Sequence, residues 1–491
     1  MASDVSITFA SNRGPVSFIE EDGSFDTKRG AGGLAGALDP VARRLGQDAL
    51  WIAAGTSDTD RSAIAAGATA GLLDELGYRV ELLDIEPNTY AEYYDDISNR
   101  LLWFANHCLW AEVGIEPGPE ALEGWRDAYV PVNEHFARRI TELGHDDALV
   151  FFQDYHLSVA PAALRRLRPE VKSLHFTHSS FCGFDSGIGH LPSPMPAEII
   201  EGMLGADLIG FHEPRWAHNF LDCCERLDHP VDHDRGVVRI DDRQAWVRCY
   251  PIPIDSNDLR ARAGLDEARG WAARHLEWAA GRSLIVRADR MEPSKNIVRG
   301  FEAYGRLLDD DSTLADKTCF IACVYPSRQD VPEYQEYARQ IHAVVDEVNG
   351  RHPDSIALFD EDDFDRSLGA LLDYDVLLVN SLMDGMNLVS KEGPTLNERD
   401  GILVLSKGAG SFDEMRSGSV VIEDPYDVQE TAARLKEALE LAPAERRTRA
   451  EQVRSAARAR MPEDWLDEQL EDLVSIRDGN EPLRSLQQLP Q

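Results

Sequence analysis

"RADRMEPSKN", residues 287–296, ends an apolar strand and opens a helix within ten residues. The run before it, "SLIV", is apolar and largely β-branched, and the turn that follows holds two cations, Arg290 and Lys295. Only seven of the chain's 50 basic residues are lysines, so a lysine at this turn indicates a chemical role. Two cations at a helix N-terminus favour a bound anion. A surface salt bridge is the alternative.

Apolar runs of this kind recur along the chain, with helical segments between them. In the first half they occupy residues 6–12, 50–55, 79–85, 148–156, 171–178 and 207–212. In the second half they occupy residues 283–290, 319–326, 355–361, 375–381 and 401–410. Near-continuous apolar strands separated by helices indicate parallel sheets that are covered on both faces. The fold class is therefore α/β, with two doubly wound, Rossmann-like domains.

The boundary between these domains is predicted at the segment "CYPIPIDSNDLRARAG", residues 249–264, whose prolines and polar tail are typical of a linker. We expect an N-terminal domain over 1–252 and a C-terminal domain over 253–460. Residues 461–491 would form a helix that packs back across both domains, followed by a tail. Polar motifs cluster where the strands end, and ligands of such sheets bind at the carboxyl ends of the strands. We therefore expect a binding cleft between the two domains.

Composition excludes several classes of partner. The chain is 43% hydrophobic and 28% charged, as in soluble globular proteins, and its net charge of −37 argues against nucleic acid or anionic membrane as partners. No run approaches the ~20 apolar residues of a membrane span, and the N-terminus lacks the apolar core of a signal peptide. We expect a cytoplasmic protein. Its arginine-rich, acidic composition is typical of a high-salt or high-GC source, and the sequence leaves homo-oligomer formation open.

The cysteines are odd in number and scattered, and none forms a CxxC pair. This pattern predicts buried reduced thiols, with metal ligation as the alternative. The prediction covers all seven cysteines: Cys108, Cys182, Cys223, Cys224, Cys249, Cys319 and Cys323.

The glycine-rich segment "KRGAGGLAGAL", residues 28–38, matches G-x-G-x-x-A, so a dinucleotide-binding oxidoreductase has to be considered. About eleven polar residues separate it from the preceding apolar strand, whereas the dinucleotide fingerprint needs the strand to run directly into the glycines. The segment better fits a loop whose backbone approaches a phosphate at Gly32 and Gly33. A packing turn is the alternative.

A second motif, "MDGMNLVSKEG", residues 383–393, places an acid, a glycine and an amide before a helix that carries Lys391 and Glu392 in its second turn. Carboxylates at Asp384 and Glu392 can accept hydrogen bonds from sugar hydroxyls, which favours a sugar-nucleotide site over a metal site. Asp154, His156 and His178 raise the alternatives of a catalytic triad or a metal centre. Neither is supported, because the chain has no G-x-S-x-G elbow and no H-E-x-x-H motif.

Taken together, the motifs resemble those of the retaining trehalose-6-phosphate synthases, glycosyltransferase family 20. The resemblance covers most of the chain and rests on motifs in family order and spacing, among them "SNRGPV", "GGLAGAL", "YYDDISNRLLW", "LGADLIGFH", "DRMEPSKN" and "DGMNLVSKE". It implies a GT-B glycosyltransferase that moves glucose from a nucleotide donor to glucose 6-phosphate with retention. It implies no metal and no other cofactor. The binding partners would be a nucleotide sugar and a sugar phosphate.

The resemblance also implies a role for individual residues. Arg290 and Lys295 would hold the donor pyrophosphate, and Asp384 the transferred glucose, assisted by His178. Further donor contacts would come from Gly32, Gly33, Met386, Asn387, Leu388 and Glu392, of which Glu392 would bind the ribose. The acceptor site would consist of Arg13, Tyr94, Trp103, Asp154 and Arg328, with Arg13 and Arg328 on the phosphate. The chain carries no carboxylate nucleophile in the family pattern, which implies a front-face mechanism.

The chain departs from the family pattern at several positions. Gly14 stands where leucine is usual, Asp95 where asparagine is usual, and Asn296 where glycine is usual. The segment "HSSFCGF" replaces a His-Ile-Pro-Phe-Pro run, and "NERD" follows the helix of Glu392, as in the related validoxylamine-type pseudo-glycosyltransferases. The alternatives are therefore a pseudo-glycosyltransferase that couples an aminocyclitol phosphate and a non-catalytic relative that binds sugar phosphate. The acidic loop "DEDDFDRS", residues 360–367, favours GDP-glucose slightly over UDP-glucose, and an acidic surface loop is its alternative role.

Overall fold

The computed structural model describes residues 5–21, 23–29 and 33–486, and the chain divides into two compact units. The first unit contains the chain as far as Trp110, then Gly114–Pro251 and the residues from Glu463 onward. The second unit contains Ala111–Val113 and Ile252–Pro462. Each unit is built on its own sheet, so each has its own core.

The strands of the first unit are β1 (Ile7–Ser11), β2 (Val16–Glu21), β3 (Ser24–Arg29), β4 (Ala49–Ala54), β5 (Arg79–Leu83), β6 (Leu149–Gln153), β7 (Ser173–Phe176), β8 (Leu208–Phe211), β9 (Val231–Asp232), β10 (Val237–Ile240) and β11 (Arg243–Cys249). In the described residues, nine of them form one sheet in the order β5-β4-β1-β6-β7-β8-β11-β10-β9. Strands β5 to β11 in this order run parallel, and β10 and β9 add an antiparallel edge. Strands β2 and β3 form a separate antiparallel hairpin.

The strands of the second unit are β12 (Ser283–Arg290), β13 (Thr318–Tyr325), β14 (Ile356–Phe359), β15 (Val376–Val379), β16 (Ile402–Ser406) and β17 (Val420–Ile422). They form a sheet of order β14-β13-β12-β15-β16-β17 in which every pairing is parallel. Parallel sheets are buried on both faces, which explains why strands such as β13 and β15 are apolar at nearly every position. The predicted α/β class is confirmed.

Helices connect the strands. They are α1 (Gly33–Leu45), α2 (Asp58–Ala65), α3 (Leu72–Leu76), α4 (Pro87–Ala91), α5 (Trp103–Asn106), α6 (Trp110–Val113), α7 (Glu120–Gly124), α8 (Val130–Leu143), α9 (Ala160–Leu167), α10 (Met195–Met203), α11 (Pro214–Arg226), α12 (Ser256–Ala263), α13 (Asp266–Ala279), α14 (Ile297–Asp310), α15 (Pro332–Arg351), α16 (Phe364–Leu372), α17 (Val389–Leu396), α18 (Phe412–Met415), α19 (Val428–Glu440), α20 (Pro443–Ala457) and α21 (Pro462–Arg477). Two segments, Glu92–Leu102 and Trp125–Tyr129, are π-helical. Within the described ranges, none of these helices combines the length and hydropathy of a bilayer span.

Several elements differ from the sequence-based expectation, and strands β11 and β17 lie outside the predicted apolar runs. The hairpin β2–β3 lies in a region expected to be a polar connection, because β3 is largely exposed and lacks an apolar run. The antiparallel strands β9 and β10 are short and partly exposed, so they too lack an apolar run that would predict a strand. The polar tail of the predicted linker is helix α12, which Asp255 caps by accepting hydrogen bonds from the backbone N–H groups of Asn257 and Asp258.

The prediction of reduced thiols was wrong for one pair of cysteines. Cys108 and Cys182 form a disulfide, with their Cα atoms 6.0 Å apart. The other cysteines are buried and reduced, as expected: Cys223, Cys224, Cys249, Cys319 and Cys323. Loop positions 74 residues apart in the sequence give no sign of contact until the sheet brings them together.

The last helix, α21, completes the core of the first unit. Trp465 is fully buried, and its indole N–H donates to the carbonyl oxygen of Tyr250 at 2.9 Å. The phenol of Tyr250 in turn donates to the Asp472 carboxylate at 2.6 Å. These bonds join the chain terminus to the end of β11, the last parallel strand of the nine-stranded sheet.

Candidate active site

The turn from β12 into α14 holds the lysine that the sequence singled out. Lys295 Nζ lies 2.5 Å from the Asp384 carboxylate, and both side chains are close to nine-tenths buried. Burial opposes a charge on Lys295, but Asp384, Asp289 and Glu292 outweigh it and raise the pKa of the lysine above its usual value. The lysine is therefore a fixed cation at the carboxyl end of β12, paired with an acid from the end of β15.

A buried carboxylate, Glu292, joins the two arginines predicted for this region. Arg290 Nε lies 3.3 Å from Glu292 Oε1, and Arg328 donates to the same oxygen at 3.0 Å. Arg328 also donates to the phenol oxygen of Tyr334 at 2.6 Å and has a positive φ of 47°. Glu292 raises the pKa of Arg290. Two guanidinium groups are thus held together by one acid at the ends of β12 and β13.

Beneath this turn lies a fully buried arginine that the sequence analysis did not single out. Arg287 donates to the Asp289 carboxylate at 2.8 Å and to the backbone carbonyl of Lys295 at 3.0 Å. A buried charge must be paired and hydrogen-bonded to be tolerated. Arg287 meets both conditions, and in doing so it fixes the backbone that carries Lys295.

The loop from β15 to α17 shapes the position of Asp384. The Asp384 carboxylate accepts hydrogen bonds from Ser381 Oγ at 3.2 Å and from Asn387 Nδ2 at 3.0 Å. Asn387 has a positive φ of 67°, a conformation in which asparagine is tolerated better than most residues. Met386 and Asn387 are almost fully buried, and Leu388 stands at the N-cap of α17. The N-terminus of such a helix presents backbone N–H groups to an anion or hydroxyl.

Helix α17 carries two titratable side chains with opposite surroundings. Lys391 is buried, pairs with Glu414 at 2.7 Å and donates to the carbonyl oxygen of Ile252 at 2.9 Å. Glu392 lies in the first turn of the helix rather than the predicted second turn, and its carboxylate has no partner among the described residues. Burial raises the pKa of Glu392 to about 7. A half-buried acid without a partner is suited to accept hydrogen bonds from a ligand.

The glycine-rich segment is described only in part. Gly33 begins helix α1, as the sequence predicted for the end of this loop. Gly32 lies outside the described residues.

In the first unit, Asp154 follows β6 and has a positive φ of 70°. Its carboxylate accepts hydrogen bonds from the backbone N–H groups of His178 at 3.1 Å and Ser179 at 3.3 Å. The acid therefore ties the end of β6 to the loop after β7. This contact does not support a triad of Asp154, His156 and His178, because the carboxylate orients backbone rather than an imidazole.

His178 lies among aromatic rings at the end of β7. Its Nε2 is 2.8 Å from Gln153 Oε1, so Nε2 donates the hydrogen bond and Nδ1 is left as an acceptor. The ring centroids of Phe176 and Trp465 lie 4.8 Å and 5.8 Å away. Burial, together with His212 and His175, holds the pKa of His178 well below its usual value. The imidazole is neutral at physiological pH, which suits a contact with an uncharged hydroxyl.

The remaining predicted acceptor residues of the first unit lie on two elements. Arg13, just beyond β1, is exposed and donates to the phenol oxygen of Tyr94 at 3.1 Å. Tyr94 stacks on His156 with ring centroids 5.6 Å apart. It lies in the π-helical segment Glu92–Leu102, a geometry that often marks functional sites. Trp103 follows directly, is 7% exposed and stacks on His107 at 3.8 Å.

The structure thus forms two clusters of predicted residues, one in each unit. Arg290, Lys295 and Asp384 lie together in the second unit, near Arg328, at the ends of neighbouring strands. In the first unit the ends of neighbouring strands β1, β6 and β7 carry Arg13, Asp154 and His178. Sequence reasoning missed four supporting residues: Arg287, Asp289, Glu292 and Gln153. Three of them lie within the "RADRME" motif, where charged residues in a buried strand were an available signal.

Comparison with known proteins identifies the same family that the sequence motifs resemble. Residues 6–475 match the family model described as glycosyltransferase family 20. A trehalose-6-phosphate synthase of Mycobacterium sp. (strain KMS) is 31% identical over 501 residues, which cover 98% of this chain and 98% of that protein.

Two solved structures are similar over nearly their whole length. An α,α-trehalose-phosphate synthase (UDP-forming) from Burkholderia vietnamiensis has a TM-score of 0.81 at 24% identity, covering 97% of this chain and 98% of that chain. Another, from Burkholderia xenovorans in complex with glucose-6-phosphate, has a TM-score of 0.78 at 24% identity, with coverage of 95% and 99%. Likeness at this level establishes the GT-B fold.

Proposed function

The chain belongs to glycosyltransferase family 20, and from this premise we propose that it transfers glucose from a nucleoside-diphosphate glucose to glucose 6-phosphate. Transfer occurs with retention and forms α,α-trehalose 6-phosphate and a nucleoside diphosphate. The observation that carries the proposal is the pairing of Lys295 with Asp384 at 2.5 Å, close to Arg290. This arrangement places cations that can bind a diphosphate beside a carboxylate that can accept hydrogen bonds from sugar hydroxyls.

The second unit would bind the donor. Lys295 and Arg290 would contact the diphosphate, and negative charge on its oxygens grows as the bond to the sugar breaks. Cations already fixed by burial and by Glu292 stabilise that charge without reorganising. The carboxylate of Asp384 would accept from a glucose hydroxyl, and that of Glu392 from the ribose hydroxyls. The N-terminus of α17 would add backbone N–H donors.

The first unit would bind the acceptor. Arg13 is an exposed cation for the sugar phosphate, and Tyr94 holds its guanidinium in place. Asp154 and Trp103 would contact the sugar ring of the acceptor. The assistance of neutral His178 to the transferred glucose stays a prediction. The acceptor-phosphate role of Arg328 stays a prediction.

Retention without a protein nucleophile defines the chemical step. The bond from the anomeric carbon to the diphosphate oxygen breaks, and the acceptor hydroxyl oxygen forms its bond on the same face. The acceptor proton passes to the departing phosphate oxygen. The protein's part is to position both substrates and to stabilise the leaving diphosphate, so no side chain has to accept the proton.

A product assay tests the reaction. Purified protein is incubated with glucose 6-phosphate and, in turn, GDP-, UDP- or ADP-glucose, and mass spectrometry follows the products. We expect a disaccharide phosphate and one equivalent of nucleoside diphosphate, with an α,α linkage by NMR. An Asp384→Asn variant is the matched control for contaminating activity. Donor binding without any disaccharide phosphate would contradict the proposal and favour an aminocyclitol acceptor or a non-catalytic role.

The finer proposal concerns the donor base, where we infer a preference for guanine over uracil. In the acidic loop, Glu361 and Asp363 both lie close to buried Arg366, at 3.0 Å and 3.5 Å. Asp360 faces His342 at 3.3 Å. Asp362 is exposed and has no partner among the described residues, so its carboxylate can accept from N1 and N2 of guanine together. Uracil offers only one such donor.

Calorimetry with GDP and UDP tests the base preference. Asp362→Asn is expected to weaken GDP binding and leave UDP binding unchanged, since only guanine uses both carboxylate oxygens. Asp365→Asn, a change in the neighbouring helix α16, is the control for altered loop charge. Equal losses for the two nucleotides in Asp362→Asn would remove the argument for guanine.

A further inference from the structure

The disulfide between Cys108 and Cys182 joins the segment that carries the predicted acceptor residue Trp103 to the loop whose backbone donates hydrogen bonds to a second one, Asp154. Cys108 lies just after α5, five residues beyond Trp103, and Cys182 lies four residues beyond His178. We name residues 103–108 and 178–184 the paired segments. Both belong to the first unit. The disulfide therefore lies close in the sequence to Trp103 and to the loop that bonds to Asp154.

Hydrogen bonds also join the paired segments. Asn106 Nδ2 donates to Ser179 Oγ at 3.1 Å, and Ser180 Oγ donates to the carbonyl oxygen of Asn106 at 2.8 Å. Cys108 has a positive φ of 53°, unusual for a residue with a side chain. A backbone held in this conformation depends on its surroundings to keep it there. The disulfide constrains the backbone at Cys108, the last residue of the segment 103–108.

Cys108 and Cys182 differ from the neighbouring cysteines of the first unit in being oxidised. Cys182 is 2% exposed and lies in the segment where this chain departs from the family pattern. The neighbouring cysteines of the first unit, Cys223 and Cys224, are reduced and buried in α11. The bonded cysteines are thus the two that lie within five residues of Trp103 and His178 in the sequence.

We propose that the Cys108–Cys182 disulfide is a positioning element of the acceptor site, so that the thiol–disulfide state of this pair sets the affinity for the sugar-phosphate acceptor. Cys108 and Cys182 are positioning residues, since neither is placed in contact with substrate. They act through Trp103 and through the loop whose backbone bonds to Asp154. The inference rests on the proposed function for the identity of the acceptor.

The exchange chemistry balances with a dithiol reductant such as dithiothreitol. One thiolate of the reductant attacks the sulfur of Cys108, which is the more exposed of the two, and Cys182 leaves as a thiolate. The second thiol of the reductant then displaces Cys108. Two electrons and two protons pass to the protein, giving two cysteine thiols and one cyclic disulfide of the reductant. A cellular dithiol protein would supply the same electrons.

The experiment compares oxidised, dithiothreitol-reduced and Cys108→Ser protein. Peptide mapping under non-reducing conditions first verifies the bond. We expect reduction and Cys108→Ser each to raise the KM for glucose 6-phosphate about tenfold, as for a small displacement of positioning groups. The donor KM should stay the same. Reductant should not change the Cys108→Ser enzyme further, which is the matched control for effects on other thiols.

Hydrogen–deuterium exchange provides a readout that does not depend on turnover. On reduction, exchange should accelerate in the paired segments and remain unchanged around Lys295 and Asp384. If the oxidised protein makes no disaccharide phosphate, the proposed function fails, and the exchange pattern still decides the positioning role. Two free thiols by peptide mapping, or exchange and acceptor KM that do not respond to reduction, would overturn the inference. The inference would also be overturned if reduction lowered the activity only in proportion to the fraction of protein that remains folded.

Discussion

At the residue scale, the titration of Glu392 should make the affinity for nucleotide depend on pH. Its pKa of about 7 in the ligand-free protein arises from burial. In the proposed donor site the ionised form would accept hydrogen bonds from ribose, and its fraction rises from about one tenth at pH 6 to about nine tenths at pH 8. The affinity for a nucleoside diphosphate should therefore increase up to about tenfold over this range. Calorimetry at several pH values measures it.

The matched control for this titration is Glu392→Gln. It retains the size of the side chain and the titration of the ligand phosphates but has no carboxylate. Its affinity should be lower at pH 8 and should vary less with pH. A wild-type pH profile that matches the glutamine variant would show that Glu392 does not contact the nucleotide.

Lys295 and Arg290 should act on turnover more than on acceptor binding. Replacing either by alanine would remove a cation that is proposed to stabilise the leaving diphosphate, and loss of one such donor costs about 3 kcal/mol, or on the order of a hundredfold in kcat. Steady-state kinetics with both substrates varied measures the effect. Lys436→Ala removes a surface lysine of the same unit and is the control. An unchanged kcat with a raised KM for glucose 6-phosphate would refute the assignment.

At the scale of an element, the turn between β12 and α14 explains one departure from the family pattern. Asn296 stands where glycine is usual, and its φ of 56° and ψ of 40° lie in the left-handed region that both residues tolerate. Its side chain also donates to the carbonyl oxygens of Asn380 at 3.0 Å and Pro425 at 2.7 Å. The asparagine thus keeps the backbone shape and adds two buried hydrogen bonds.

The stability of the turn can be separated into these two contributions. Asn296→Gly should lower the free energy of unfolding by about 1–3 kcal/mol, because two buried carbonyl groups lose their donor. Asn296→Ala should lower it by about 1 kcal/mol more, because alanine is strained at positive φ. Equilibrium urea unfolding of the three proteins measures both. An alanine variant as stable as the glycine variant would contradict the backbone part of the argument.

At the scale of the whole molecule, the large negative net charge bears on the stability of the folded state. The net charge of −37 arises from 87 acidic against 50 basic residues, and like charges destabilise the compact state. Raising NaCl from about 0.1 M to about 1 M shortens the Debye length from about 10 Å to about 3 Å. The midpoint of thermal unfolding should rise by several degrees. Calorimetric scans in NaCl and in KCl of equal ionic strength measure it.

Screening depends on ionic strength rather than on the identity of the cation. The two salts should therefore give the same rise. A midpoint that stays constant, or that responds to one cation alone, would show that self-repulsion does not limit the stability of this protein.

Much of the fold could be predicted from patterns local to the sequence. Apolar runs mark the buried parallel strands because both faces of such a sheet exclude water, and β13 or β15 cannot alternate with polar residues. The hairpin β2–β3 and the edge strands β9 and β10 lack that signal, since one face or one edge of each meets solvent. Strand order was also beyond prediction, because parallel partners are distant in the sequence.

The candidate side chains for the chemistry could be predicted from sequence motifs alone. Lys295, Asp384 and Glu392 stand in motifs next to strand ends, and strand ends of parallel sheets collect at one edge. Only the tertiary structure decided how these groups are paired and protonated. The contact of Lys295 with Asp384, that of Arg328 with Glu292 and the Cys108–Cys182 bond join residues distant in the chain. Hydrogen bonds, burial and disulfides depend on distance in space, which a linear pattern does not contain.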